Sequence, residues 1–520
     1  MQVSRHAADC GARLVKPGFV SPAAAPSFLA TCGYDPPMLY GKQAGKNRDG
    51  IERDAQAALA WLERNLEGRL EELVELARIP SVSAAGFPEA EVHRSAEAVA
   101  RLLESSGFER VELLTLAGAH PYVLGEWLGA GPGAPTLLLY AHHDVQPPGR
   151  ASHWRSPAFE PTRVTAEGEA GLLYGRGVVD DKAGIVVFAG ALRAWLESGS
   201  RPPVNLKLIV EGEEEIGSTH LEEFLRQHRD RLAADVIVLS DTANLATGLP
   251  SITTSLRGIL NVDVRVRALD HPVHSGMWGG PVPDATSALA RILGRLFDAD
   301  GNVAIPGFEL GCEPLKPAAQ ARLAALPIDE AEFRADVGMV ESARFIGRGG
   351  SQIYDRLWNR PALALIGLEG MPLAQAANQL IAEAAARVSV RIAPGQDPAA
   401  MRERVVAFLG AEPPWGVEVR VEAREAAGGW RVEPTGPAFA AAERALAGGY
   451  GRDPVYVGCG GSIPFVAPFV EVLGGVPALL LGLEDPICNA HGENESLDLA
   501  DFRRALRSAV LLFAELGAFA

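Results

Sequence analysis

Val204-Asn205-Leu206-Lys207-Leu208-Ile209-Val210 runs directly into Glu211-Gly212-Glu213-Glu214-Glu215-Ile216-Gly217-Ser218. The first seven residues read as a short buried strand. The next eight hold three consecutive carboxylates closed by a Gly-Ser turn. Charge runs are usually solvated faces. This one follows a buried strand, and α/β sheets place their sites in crevices at strand carboxyl ends. Adjacent carboxylates repel unless water or cations intervene. The fold and the function therefore turn on one question: whether other strand ends bring the ligands that would hold cations there.

Working outward, strands and helices alternate. Leu59, Leu62, Leu66, Leu70, Leu73 and Leu76 recur at helical spacing and predict one helix over 54–78. A second helix is expected at about 92–106, then a strand at 111–114. Thr136–Tyr140 reads as a buried strand leading into Ala141-His142-His143-Asp144. Asp180-Asp181-Lys182 precedes a helix over 183–198, where negative charge is favoured. Val236–Leu239 is a strand ending at Ser240-Asp241. Strands alternating with helices imply an α/β domain, with a mostly parallel sheet and helices on both faces.

From residue 257 the pattern changes. Leu260, Val262, Val264 and Val266 alternate with polar residues, as in a half-exposed strand. A helix (284–298), strands (362–367 and 385–392), a helix (397–409) and a strand (417–421) follow. That β-α-β-β-α-β order predicts a ferredoxin-like α+β unit. Residues 299–360 are weakly patterned and read as elaboration of that unit. Helices at 437–447, 463–470 and 500–516, and a strand at 478–483, return to α/β character. The expected organisation is an α/β domain of residues 51–256 and 428–520 interrupted by an inserted unit, 257–427. Residues 1–50 lack periodicity and an apolar signal core, and are expected to be a disordered extension.

The chain of 520 residues carries a net charge of −17 with no basic stripe, which argues against a nucleic-acid partner. No apolar run approaches the roughly 20 residues of a membrane span. Five scattered cysteines, with no CxxC pair, suit a reducing, cytoplasmic setting.

The polar residues at strand ends form a set. His142 and Asp144 follow one strand, Glu214 and Glu215 a second, Asp241 a third. Asp180 precedes a helix, and His491 lies in the loop after the strand at 478–483. Singly each has an ordinary explanation: an aspartate at a helix start is usually a cap, and a lone histidine is usually a surface or core residue. Together, two imidazoles and several carboxylates suit zinc, with manganese or cobalt as alternatives. The charge of Asp180, Glu215 and Asp241 suits two divalent ions rather than one. Asp144 is placed to hold the other ring nitrogen of His142. Glu214 is left as a spare carboxylate, the requirement for a general base toward a metal-bound water.

These motifs resemble the M20 metallopeptidase family, the group of dipeptidases, ArgE/DapE and carboxypeptidase G2. The pieces, in order over about residues 54–520, are Ala141-His142-His143-Asp144-Val145-Gln146-Pro147, Leu173–Lys182, Glu211–Ser218, Ser240-Asp241, His274-Ser275-Gly276, Gly460-Gly461-Ser462-Ile463-Pro464 and Ala490-His491. The resemblance implies that His142 and Asp241 hold one metal ion, that Glu215 and His491 hold the other, and that Asp180 bridges the two. It makes Glu214 the base and Asp144 the residue that orients His142, with Glu211 and Glu213 supporting the turn. Asp at position 241 looks like the dipeptidase branch, including carnosine-type dipeptidases. The inserted unit matches a lid and dimerisation domain, so a homodimer is implied. His274 then reaches the partner subunit's site and stabilises an oxyanion. Arg391 grips a substrate carboxylate, and Asn378, Gly461 and Ser462 look like substrate-binding positions.

The expected activity is metal-dependent hydrolysis of dipeptides or short peptides. One departure leaves an alternative. Where the dipeptidase pattern often has Arg-Glu-Gly-Gly-Ser, this chain has Gly458-Cys459-Gly460-Gly461-Ser462. A carboxylate suited to a substrate amine is absent from that position, which keeps an N-acyl-amino-acid amidohydrolase open. An inactive scaffold would have lost ligands or base, and none is lost.

Overall fold

The computed structural model describes residues 48–165, 171–327, 329–347, 353–463 and 465–518. Of the expected disordered extension only residues 48–50 fall within these, at the start of helix Arg48–Arg64; residues 1–47 lie outside the described residues, as does Pro464.

Nine strands build the main sheet. Arg110–Leu114, Tyr122–Trp127, Asn205–Glu211, Thr136–His142, Val236–Leu239, Ala478–Leu480, Ser251–Leu256 and Trp430–Arg431 lie side by side in that order, and Val455–Cys459 also pairs with Ser251–Leu256. The four central strands, from Asn205–Glu211 to Ala478–Leu480, are mutually parallel. Antiparallel pairs flank them. The pleat sorts the central side chains by period two. Leu137, Leu139 and Ala141 enter one core with helices Lys182–Glu197, Pro437–Tyr450 and Leu499–Gly517. Leu138 and Tyr140 enter the core on the opposite face, with Phe224, Phe465 and Phe469. With both faces covered, all four carboxyl ends can turn only toward the sheet's edge, and that edge becomes the crevice.

The expected helix over 54–78 is two helices, Arg48–Arg64 and Leu66–Ala77. Asn65 leaves helical geometry (φ −120°, ψ 15°), and its side-chain amide donates to the Trp61 carbonyl at 2.8 Å. Asparagine competes with the backbone in this way, and the leucine spacing does not register it.

The second sheet takes the order Ala362–Glu369, Glu383–Ile392, Gly258–Arg267, Glu418–Ala423, antiparallel throughout. This is the ferredoxin-like arrangement expected from the sequence. Leu260, Val262, Val264 and Val266 face helices Ala285–Gly294 and Pro398–Gly410 across a separate core. Burying each such side chain is worth roughly 1.5–3 kcal/mol. Asp284 and Asp397 cap the two helices, accepting from backbone N–H groups of their first turns. The weakly patterned stretch 299–360 contains short helices Pro317–Ala324, Glu330–Asp336 and Ile353–Asn359. The chain crosses from the first sheet to the second between Leu256 and Gly258, with Arg257 at the crossing. No helix among the described residues is long and apolar enough to cross a membrane.

Candidate metal centre

His142 closes the central strand Thr136–His142 and pairs in register with Glu211. Asp241 stands two residues beyond Val236–Leu239. Asp180 lies in the turn before Lys182–Glu197, Glu215 in the short turn Glu214–Ile216, and His491 in a loop where it adopts φ 63°. Neither Asp180 nor Asp181 caps the helix that follows; Asp181 instead accepts from Ser240 Oγ at 2.7 Å.

These residues converge as two triads that share one aspartate. His142 Nε2 is 2.9 Å from Asp180 Oδ1 and 3.9 Å from Asp241 Oδ1. His491 Nε2 is 2.9 Å from Asp180 Oδ2 and 3.2 Å from Glu215 Oε2. Each oxygen of Asp180 thus serves one triad. Within each triad the donor atoms lie within 4.8 Å of one another. Two ligands at about 2.0–2.2 Å from one zinc ion can be no more than about 4.4 Å apart. The donor set fits, needing only small adjustments to close around an ion.

The electrostatics describe a site short of positive charge. Burial, reinforced by Glu214, Asp180 and Asp181 and only partly offset by His142, holds Asp241 well above the usual carboxylate range. Burial and the neighbouring Glu215, Asp180 and Asp144 push Glu214 up to about 8. Hydrogen bonds to Asp180 and Glu215 push His491 up to about 11. Burial works against a charged His142, but Asp144 and Asp180 overcome it and hold that imidazole well above its ordinary value. The histidines are the cations available, and they are shared among too many carboxylates. Such clustered shifts mark functional sites.

Around the triads lies a supporting set. His142 Nδ1 is 3.1 Å from the Asp144 carbonyl and 3.5 Å from its carboxylate. The Asp144 carboxylate does more than face that imidazole. Its oxygens accept from the backbone N–H of Glu214 (3.2 Å) and Glu215 (3.1 Å), and from Ser83 Oγ (2.6 Å). One aspartate therefore ties the His142 strand end to the acidic turn. Gln146 donates to Glu215 from its backbone (3.1 Å) and its side chain (2.8 Å). Glu495 accepts from Gly177, Val179 and Asp180 N–H groups and from Arg176 Nη1 at 2.7 Å. Arg176 Nη2 donates in turn to the carbonyls of Pro147, His491 and Gly492, each at 3.1 Å. Ser83, Gln146, Arg176 and Glu495 received no role from the sequence. Gln146 and Arg176 sit inside the matched motifs, and Glu495 follows His491 by four residues, which was the available signal. In the acidic run itself, Glu211 accepts from Tyr140 OH (2.6 Å), while Glu213 accepts from Tyr122 OH (3.1 Å) and the His220 backbone (2.8 Å).

A second cluster lies where the two sheets meet. Arg391 Nη1 donates to Ser462 Oγ at 2.8 Å. Arg257 stands beside it, donating to the carbonyls of Gly460 (3.0 Å) and Arg360 (3.3 Å). Burial and the Arg391 charge push Arg257 down to about 10. Gly461 is close enough to the thiol that a Cβ there would sit 3.3 Å from Cys459 Sγ. Burial raises the Cys459 thiol, which keeps it protonated and a poor nucleophile.

The segments that carry His274 and Asn378 meet each other but not the triads. Val273–His274 pairs with Gln379–Leu380, and Ser275 N donates to the Asn378 carbonyl at 2.8 Å. His274 is exposed, accepts from Gly276 N at 3.1 Å, and has no contact with the cluster in its own chain.

Comparison with known proteins agrees with this geometry. Residues 138–515 match the model of peptidase family M20/M25/M40. The cysteinylglycine-S-conjugate dipeptidase of Corynebacterium striatum is 32% identical, over 84% of this chain and 92% of its own. The human Beta-Ala-His dipeptidase is 28% identical, over 76% of this chain and 77% of its own. The structure of the dipeptidase Dug1p from Saccharomyces cerevisiae superposes with a TM-score of 0.78 at 26% identity, covering 89% of this chain and 98% of that one. The chain belongs to peptidase family M20/M25/M40.

Proposed function

We propose that the protein hydrolyses the amide bond of dipeptides with the help of two divalent cations. The observation that carries this is the pair of triads sharing Asp180, with Glu214 alongside and outside both. His142 and Asp241 would hold one ion, Glu215 and His491 the other, and Asp180 both. Zinc suits mixed imidazole and carboxylate donors, with manganese and cobalt as alternatives. Such ions supply Lewis acidity and make water nucleophilic near neutral pH.

The chain's own residues do the rest. The Glu214 carboxylate has no hydrogen-bond partner among the described residues, so it is free to take the proton of the attacking water and return it to the leaving amine. Arg391, with Ser462 and Gly461, holds the carboxylate end of the substrate and fixes its register; a guanidinium fork suits a planar carboxylate. Residues 257–427 act as the lid and as the dimer contact. His274 of the partner subunit completes the oxyanion site, which accounts for its exposure and distance from the triads here, and Asn378 serves as a substrate-binding position. The exposed edge strand Ala362–Glu369 supports a dimer through this unit. Cys312, Cys459 and Cys488 form no disulfide, which supports a reducing, cytoplasmic setting.

The relatives compared are dipeptidases by name, which supports a dipeptide substrate. Cys459 favours a second reading, an N-acyl-amino-acid amidohydrolase. Assaying the metal-loaded protein on a dipeptide library and on N-acetyl and N-succinyl amino acids separates them. Turnover of dipeptides supports the first reading, and exclusive turnover of acylated amino acids replaces it with the second.

A further inference from the structure

Glu484 is a carboxylate without a use in the scheme above. It lies next to Ala243, with which it forms a parallel bridge, and its carbonyl accepts from Asn244 N at 2.8 Å. Ala243 is two residues past the candidate ligand Asp241, so Glu484 stands one strand over from the triads, on the side away from His142. Its backbone is pinned there: Gly482 is packed so closely on Thr242 that no side chain fits between them. The Glu484 side chain feels Asp180 and His491, and Cys459 in turn feels Glu484. Cys459 also feels Arg257 and Arg391. Glu484 is half-buried and belongs to neither triad, and its carboxylate has no hydrogen bond or ion pair among the described residues.

The region around Cys459 therefore has two poles. Arg391 and Arg257 form a positive pole with no carboxylate paired to either among the described residues. Glu484 is a carboxylate with no cation paired to it among the described residues. A half-buried carboxylate without a partner is costly to keep, and two guanidinium groups side by side are costly as well. A small zwitterion relieves both at once. An unblocked dipeptide is such a molecule, with a carboxylate at one end and an ammonium at the other.

We propose that Glu484 is a specificity-determining residue that binds the free α-ammonium group of the substrate, doing from a neighbouring strand end what Cys459 cannot. The inference rests on the dipeptidase reading and narrows it: the substrate class is peptides with an unblocked amino terminus, bound between Glu484 and Arg391.

The test compares wild type and Glu484→Gln on a dipeptide and its N-acetylated form, with metal content measured in both proteins. Wild type is expected to favour the free amine. Glu484→Gln is expected to lose about 10–100-fold in kcat/KM on the free dipeptide, the scale of a charge-assisted hydrogen bond, chiefly through KM. It should change little on the acetylated form and keep its metal content. A binding readout stands beside the kinetics. In a Glu214→Ala background, calorimetric affinity for the dipeptide should fall by the same factor on adding Glu484→Gln, and affinity for its acetylated form should not. An unchanged preference and unchanged affinity in Glu484→Gln overturn the inference and leave the peptidase reading standing. A wild-type enzyme that hydrolyses only acylated amino acids overturns both.

Discussion

Glu214 and Glu215 are neighbours with opposite circumstances. Both oxygens of Glu215 are engaged, by Gln146 and His491, while the Glu214 carboxylate is unbonded. A ligand must be held still and a base must be free to exchange protons, so the backbone turn that Asp144 clamps suits the roles proposed for the two. Gln146→Ala should therefore weaken metal binding by about 10–100-fold, the usual cost of losing a residue that orients a ligand. Competition with a chelating dye measures it, and circular dichroism should show an intact fold. The imidazoles make a second prediction. Both His142 and His491 sit above their ordinary values, held there by the carboxylates around them, which favours their protonated forms. A ligating nitrogen must be neutral, so metal uptake releases protons and apparent affinity rises with pH. Calorimetry in buffers of different ionisation enthalpy reads that release directly. The residues that gather in the two triads were legible in the sequence because each punctuates a strand or helix end. Asp144's grip on the acidic turn and the isolation of Glu484 were not, because both depend on which strand ends the sheet order sets side by side.

Among the elements, the loops at the site are fastened to each other rather than to the core. Arg176 and Glu495 form a fully buried pair that joins the turn carrying Asp180 to the loop carrying His491. Arg176→Met removes one partner and leaves Glu495 buried without the guanidinium that faces it, held only by backbone N–H groups. That should cost about 3–5 kcal/mol of stability, measured by urea unfolding, and lower metal affinity in the same protein. The edge strand Ala362–Glu369 shows what periodicity conceals. Its apolar residues read as an ordinary strand, yet most face outward: Leu368 is 74% exposed, with Leu365 and Ile366 beside it. An exposed apolar edge is a pairing surface. Leu368→Asp should give a monomer by analytical ultracentrifugation, with activity lost alongside dimerisation because His274 no longer meets a partner's site. The Asn65 break escaped the leucine spacing for a related reason, since a side chain that competes with the backbone leaves the apolar pattern untouched.

At the scale of the molecule, one covered sheet with a parallel centre and one inserted antiparallel sheet divide the work. The first delivers carboxylates and imidazoles to a common edge, and the second brings Arg391 to Ser462. The run Glu211–Ser218 is where the account is most exposed, because everything depends on Glu214 standing beside two cations and not being a ligand of either. The direct measurement is peptide hydrolysis by metal-loaded Glu214→Ala, with metal content determined on the same sample. The account predicts two divalent ions per chain, as in wild type, and a fall in kcat of about 10²–10⁴-fold, the contribution of a positioned general base. Full metal-dependent hydrolysis by that variant would contradict it.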